Sequence, residues 1–188
     1  SGQLLARFAN LYGCQSWVPA MICWGMGGFG LGLTGALEVN TKEDISANSN
    51  LIIMWGANFA SQPNTTRHVR AAQKRGAKLV TIDVRRTEVA AQSDDVFLLK
   101  PGSDAALALA MMHVIIAEGL TDPDFIAQHT TGFKELRCHL EGLTPEWAAT
   151  ETGIPAARIS ALAHDYANNQ PAAIIMGGSS IHKGANAW

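Results

Sequence analysis

Leu51-Ile52-Ile53-Met54-Trp55-Gly56-Ala57-Asn58 is the stretch on which the reading of this fold turns. Five consecutive apolar side chains leave no polar face to show to water, and Gly56 ends the run. That pattern predicts a strand covered on both faces, as in the interior of a parallel sheet. Working outward, Ser61–Arg75 has a helical composition, with Gly76 placed to cap it. Lys78–Ile82 and Asp95–Leu99 read as a second and a third strand, the latter bounded by Pro101-Gly102. Asp104–Glu118 is the clearest helix: Ser103 stands at its N-cap position, Gly119 follows its end, and it is apolar nearly all round, which predicts deep burial. Asp122–Gln128 reads as a short helix and Pro155–Ala167 as an amphipathic one. Ala172–Met176 reads as a fourth buried strand running into Gly177-Gly178. Strands alternating with helices over Leu51–Gly178 predict an α/β fold, a parallel Rossmann-like sheet with right-handed crossovers and helices on both faces.

Upstream the pattern changes. Gln3–Leu11 reads as a short helix with Leu4, Phe8 and Leu11 on one face, and Phe8 to Leu37 carries no charge. Gly-rich Cys14–Gly35 is expected to be an irregular loop wrapping something large, and no membrane span is expected from it. Gly25-Met26-Gly27-Gly28-Phe29-Gly30 fits the spacing of a dinucleotide fingerprint, but neither a strand before it nor a good helix after it is encoded. The organisation expected is therefore an irregular Gly-rich segment over 1–48 and an α/β nucleotide-binding domain over 49–188.

Composition narrows the function classes. Charged residues are 16% of the 188, and hydrophobic residues 47%. Ordinary soluble domains carry about 25% charged residues, so much of this surface is expected to be covered by other domains or by a ligand. Both ends look cut, and the chain reads as a segment of a larger multidomain enzyme. The net charge of −2 offers no long-range field for nucleic acid. Cys14, Cys23 and Cys138 form neither a disulfide framework nor a zinc or four-cysteine iron–sulfur pattern.

Ligands of open parallel sheets bind outside the carboxyl ends of the strands, which singles out four places. At the first, Gly56 permits close backbone approach to a phosphate and Asn58 offers both a donor and an acceptor; a plain strand-to-helix turn uses the same residues. At the second, Asp83 is placed for ribose hydroxyls and Arg85 for a phosphate, or the two form a surface ion pair. At the third, after Gly102, a carboxylate at Asp104 can accept from both N1–H and the 2-amino group of guanine, a donor pair that adenine lacks. Asp104 is equally a residue that suits a helix N-terminus. At the fourth, Gly177 and Gly178 reach the same edge, with His182 beyond them as a hydrogen-bonded structural residue.

Taken in order, these motifs resemble those of the prokaryotic molybdopterin oxidoreductases of the dimethyl sulfoxide reductase family. That family has a strand ending W/F-G-x-N, a second ending D-P-R-x-T, an A-D pair, and then R-P-G-T-D-A-A-L. Here stand Trp55-Gly56-Ala57-Asn58, Asp83-Val84-Arg85-Arg86-Thr87, Ser93-Asp94 and Lys100-Pro101-Gly102-Ser103-Asp104-Ala105-Ala106-Leu107. Asp122-Pro123-Asp124-Phe125-Ile126, Thr131-Gly132-Phe133, Thr144-Pro145-Glu146 and Thr152-Gly153-Ile154 continue the order. Val84 replaces the usual Pro and Ser103 the usual Thr.

The resemblance implies a segment of a molybdenum enzyme that uses bis(molybdopterin guanine dinucleotide) molybdenum. It leaves room for an iron–sulfur cluster in an N-terminal part of the parent. Gly56, Asn58, Asp83, Arg85, Gly102 and Asp104 would surround one guanine dinucleotide, with Asp104 on guanine and Asp83 near ribose. Gly177 and Gly178 would lie near the pterin and metal. Gly13-Cys14-Gln15-Ser16 is similar to the G-D-Y-S of S- and N-oxide reductases, which makes Ser16 the metal ligand and catalytic residue. Cys14 and Cys23 compete for that place. A Ser ligand goes with oxygen-atom transfer from dimethyl sulfoxide or trimethylamine N-oxide. A formate-dehydrogenase-like enzyme is the alternative, weakened because no Arg or His lies between Phe8 and Leu37. The central nucleotide-binding domain of thiamine-diphosphate enzymes shares the strand–helix rhythm. The expected partners are the remaining domains and an electron-donor protein that the sequence does not identify, in a periplasmic or cytoplasmic bacterial setting. The segment alone is expected to be inactive.

Overall fold

In the computed structural model, which describes residues 2–14, 25–35, 41–61 and 63–177, the centre of the molecule is one four-stranded sheet. Its strands are β1 (Leu51–Trp55), β2 (Lys78–Asp83), β3 (Asp95–Leu98) and β4 (Ala172–Met176). They lie in the order β3-β2-β1-β4, and every pairing is parallel. The expected parallel Rossmann-like sheet is thus present, with strand boundaries within one residue of those read from the sequence.

The helices, in chain order, are α1 (Gly2–Tyr12), α2 (Gly25–Leu33), α3 (Lys42–Asn48), α4 (Pro63–Arg75), α5 (Asp104–Ala117), α6 (Pro123–His129), α7 (Phe133–His139), α8 (Pro145–Thr152) and α9 (Ala156–Asn168). Side chains of a strand point alternately to opposite faces, and β1 divides accordingly. Leu51, Ile53 and Trp55 join Val80, Ile82 and Phe97 in a core with Leu107, Met111 and Val114 of α5 and Ile159 and Leu162 of α9. Ile52 and Met54 face the other way, into a core with Ile45 of α3 and Val69 and Ala72 of α4. All five residues of β1 are buried, as its unbroken apolar run requires.

β4 departs from the expectation of a fully buried strand. It is an edge strand on which Ala173 is covered while Ile174 and Met176 are 40% and 39% exposed. Only β1 and β2 have a neighbour on both sides. Likewise α5 buries one face, while Ala105, Ala108, Leu109, Met112 and His113 are only half-buried; an all-round apolar helix at the border of a sheet unit is covered where neighbours exist. Ser103 occupies the N-cap position of α5 without a side-chain cap bond, because its hydroxyl donates instead to the Lys100 carbonyl at 2.7 Å.

The stretch expected to be irregular, Cys14–Gly35, contains a helix among its described residues. Gly25–Leu33 forms α2 despite five glycines in nine residues. Each such glycine disfavours helix by about 1 kcal/mol relative to alanine. With few polar side chains nearby, the helix pairs the backbone's own N–H and C=O groups. Among the described residues no strand precedes the Gly-rich stretch; the first is at Leu51. α3 also lies before position 49, and it packs against α4 through Ile45; Thr41 caps it by accepting from the Asp44 amide at 3.1 Å. Among the described residues no helix is long and apolar enough to cross a membrane.

Candidate functional site

The topology itself locates a crevice. From β1 the chain moves to β2 and β3 on one side, then returns by α5–α9 to place β4 on the other side of β1. The strand order reverses between β1 and β4, and open α/β sheets bind ligands at the carboxyl ends of the strands flanking such a reversal. Gly56 follows β1 there with φ +59°, a left-handed conformation that glycine adopts without strain. Its N–H donates to the Ile82 carbonyl at 2.8 Å, and the Gly177 N–H donates to the Trp55 carbonyl at 2.8 Å. These bonds extend the ladder beyond the strands and hold Gly56 and Gly177 side by side.

Asp104, the first residue of α5, reaches into this edge from the adjoining helix. It is 8% exposed. Its Oδ1 accepts the indole N–H of Trp55 at 2.8 Å, and its Oδ2 is buried with no hydrogen-bond partner among the described residues. Burial pushes the carboxyl group above its ordinary value of 3.8, opposed by the Trp55 bond and by its own backbone amide, and reinforced by the nearby charge of Asp83. Gly102, with φ +84°, makes the turn that delivers Asp104, and the Ser103 N–H closes it on the Lys100 carbonyl at 3.1 Å.

Asp83 ends β2 and orders the loop that follows: its Oδ1 accepts the amides of Val84 at 2.7 Å and Arg85 at 3.3 Å. Arg85 is exposed. Thr87, further along this loop, carries the other buried side-chain oxygen without a partner among the described residues. Asn58 is 7% exposed and bridges the first two strand ends. Its amide donates to Glu88 Oε2 at 2.5 Å, and its carbonyl accepts the buried Val89 N–H at 3.3 Å. The donation from Asn58 is the main reason that Glu88 is held below its ordinary 4.5.

Gly56, Asn58, Asp83, Gly102, Asp104 and Gly177 therefore share one edge, and Arg85 lies on the exposed loop beside it. Two partners of these residues, Trp55 for Asp104 and Glu88 for Asn58, were not singled out from the sequence, because each acts across a long stretch of chain. An open groove of about 440 Å³ runs between the turn at Lys100–Ser103 and the side chains of His139, Trp147 and Glu151. Gly102 thus borders two surfaces. Ser16, Cys23, Gly178 and His182 lie outside the described residues. Cys14 is exposed at the end of α1, its amide and thiol both on the Ala9 carbonyl, at 3.1 and 3.7 Å. Among the described residues no cluster of three or more His, Cys, Asp or Glu side chains is placed to hold a metal ion.

The chain is similar to known proteins along almost its whole length. The sequence profile of the family described as "Molybdopterin oxidoreductase" matches residues 2–187. Formate dehydrogenase H of Escherichia coli (strain K12) is 43% identical over 131 residues, covering 69% of this chain and 18% of that protein. The probable oxidoreductase YoaE of Bacillus subtilis (strain 168) is 34% identical over 172 residues, covering 89% of this chain and 25% of that protein. The solved structure of the acetylene hydratase from Pelobacter acetylenicus superposes with a TM-score of 0.73 at 34% identity, covering 94% of this chain and 24% of that one. The chain thus spans about a quarter or less of these relatives. The match over nearly the whole length also sets aside a thiamine-diphosphate enzyme as its origin. With its parallel sheet, its ordered set of strand-end motifs and this kinship, the chain belongs to the molybdopterin oxidoreductases of the dimethyl sulfoxide reductase family.

Proposed function

We propose that this chain holds the guanine-nucleotide end of one molybdopterin guanine dinucleotide, within a larger molybdenum enzyme that reduces S-oxides or N-oxides. The observation that carries the nucleotide reading is the Asp104 carboxylate, buried at the switch-point edge with Oδ2 unpartnered. An acceptor buried without a donor is unfavourable by about 1–3 kcal/mol, and guanine N1–H and its 2-amino group supply the missing donors. The residues present fit the group in this respect. Gly56 and Gly177 put backbone without a side chain at the same sheet edge, and Asp83 and Arg85 follow the neighbouring strand, suited to ribose and phosphate. When bound, the cofactor supplies the redox chemistry of molybdenum; this chain's part is to bind and orient its nucleotide arm. Gly178 and the metal-ligand candidates Ser16, Cys14 and Cys23 complete the proposed site.

The oxide-reductase reading rests on the likeness of Gly13-Cys14-Gln15-Ser16 to the G-D-Y-S of such enzymes, and on dimethyl sulfoxide reductases among the relatives. A second reading, formate oxidation, is favoured by the 43% identity to formate dehydrogenase H. Purified full-length protein separates them. We expect stoichiometric molybdenum, release of a guanine nucleotide on acid hydrolysis, and oxidation of a reduced viologen dye by dimethyl sulfoxide or trimethylamine N-oxide. Formate-dependent dye reduction without oxide reductase activity would overturn the substrate assignment, and molybdenum-free protein without guanine would overturn the cofactor assignment.

A further inference from the structure

Trp55 fills a core position, but its one polar atom does something that packing does not require. Its backbone is fixed on both sides, paired with Ile82 of β2 and Met176 of β4. Its ring lies in the core shared with α5, and that burial needs an apolar side chain but no donor. An indole has a single donor and no acceptor. Here that donor crosses from strand to helix and ends on Asp104 Oδ1 at 2.8 Å. A carboxylate at a helix start ordinarily turns to its own helix's amides or to water. Asp104 feels its own backbone amide as well, but its Oδ1 is anchored across the core by Trp55, and its Oδ2 is buried with no hydrogen-bond partner among the described residues.

We propose that Trp55 is a positioning residue for guanine selection: its indole N–H fixes the rotation of the Asp104 carboxylate so that Oδ2 faces the incoming base. The inference rests on Asp104 being the guanine acceptor. Guanine presents two neighbouring donors, hypoxanthine lacks the 2-amino donor, and adenine lacks the N1–H donor as well. A carboxylate held in one rotation distinguishes these bases by how many donors meet an acceptor, and a freely turning one does so less well. The N–H of Trp55 also favours the ionised carboxylate against burial and the neighbouring Asp83. The ionised form is the one that only accepts.

The test uses the full-length protein freed of cofactor, with GDP, IDP and ADP as probes in calorimetric titrations. The variants are Trp55→Phe and Asp104→Asn. A third protein carries β-(3-benzothienyl)alanine at position 55, which replaces the N–H by sulfur with almost no change of shape. Loss of one hydrogen bond to a charged group corresponds to roughly ten- to a hundredfold in binding. We expect the GDP-to-IDP preference to fall by about tenfold or more in both position-55 proteins and in Asp104→Asn. ADP binding should be unaltered throughout, a pattern that general loss of structure does not produce. If Asp104→Asn loses the preference while both position-55 proteins keep it, the role of Trp55 is overturned and that of Asp104 stands. If the unaltered protein shows no preference for GDP, or Asp104→Asn retains it, both are overturned.

Discussion

Asn58 was read from the sequence either as a cofactor contact or as a turn residue, and the structure gives it a third task that a paired substitution isolates. Asn58→Ala removes the acceptor of the Val89 N–H, a bond of 3.3 Å to a residue with no solvent exposure. An orphaned buried amide costs about 1–3 kcal/mol. At tenfold per 1.4 kcal/mol, the Val89 amide should exchange with solvent roughly five- to a hundredfold faster. Asn58→Asp keeps an acceptor for Val89 but replaces the donor to Glu88 Oε2 with a like charge. Val89 should therefore stay protected, while the Glu88 carboxyl rises toward or past its ordinary 4.5. Amide hydrogen exchange and a carboxyl NMR titration of the cofactor-free protein read both effects. If Val89 exchanges at the unaltered rate in Asn58→Ala, Asn58 is not the latch between the first two strand ends, and any effect of the substitution on cofactor content would be direct.

Two further predictions follow from the same geometry. Because burial raises the Asp104 carboxyl above 3.8, the folded protein binds a proton more readily than the unfolded chain. Cofactor-free stability should therefore fall as pH rises from about that value through the raised one, while affinity for GDP, which needs the accepting carboxylate, should grow over the same window. Denaturant midpoints and GDP titrations across that range check both signs, and parallel trends would contradict the assignment. Leu107→Ala, at a position with no exposure between the sheet and its helices, should lower the local stability of β1 by about 2–5 kcal/mol. Hydrogen exchange of the β1 amides measures this, and a loss below about 1 kcal/mol would show that the core closes around the gap.

Much of the fold was legible because β1 and β4 declare themselves through unbroken apolar runs, β2 through a run broken only by Thr81, and α4, α5 and α9 through composition or spacing. Asp122 was identifiable as a helix start because an Asx-Pro pair both caps and begins a helix, and its side chain does accept the Phe125 amide at 2.9 Å. Helices α3, α7 and α8 were missed. Phe133–His139 has no buried residue to impose a helical stripe, and α8 begins at Thr144-Pro145, a capping signal, since Thr144 accepts from Trp147 at 3.3 Å, that was used only as a family marker. α2 ran against propensity. In the site, the carboxyl-edge positions were readable from strand order. What was not readable was which side chain holds which: Trp55 and Asp104 are 49 residues apart, and Asn58 and Glu88 are 30 apart. Such pairs come from strand register and helix docking, which no local pattern encodes.

The central claim is that Asp104 selects a guanine nucleotide, and the guanine-dinucleotide content of full-length Asp104→Asn, measured beside its thermal stability, tests it most directly. The substitution sets an amide donor against the donors of guanine, while Asn still suits a helix start. The account predicts a roughly ten- to a hundredfold loss of cofactor affinity, seen as depleted guanine and molybdenum, with little change in melting temperature. Unchanged guanine content would show that Asp104 serves only the start of its helix.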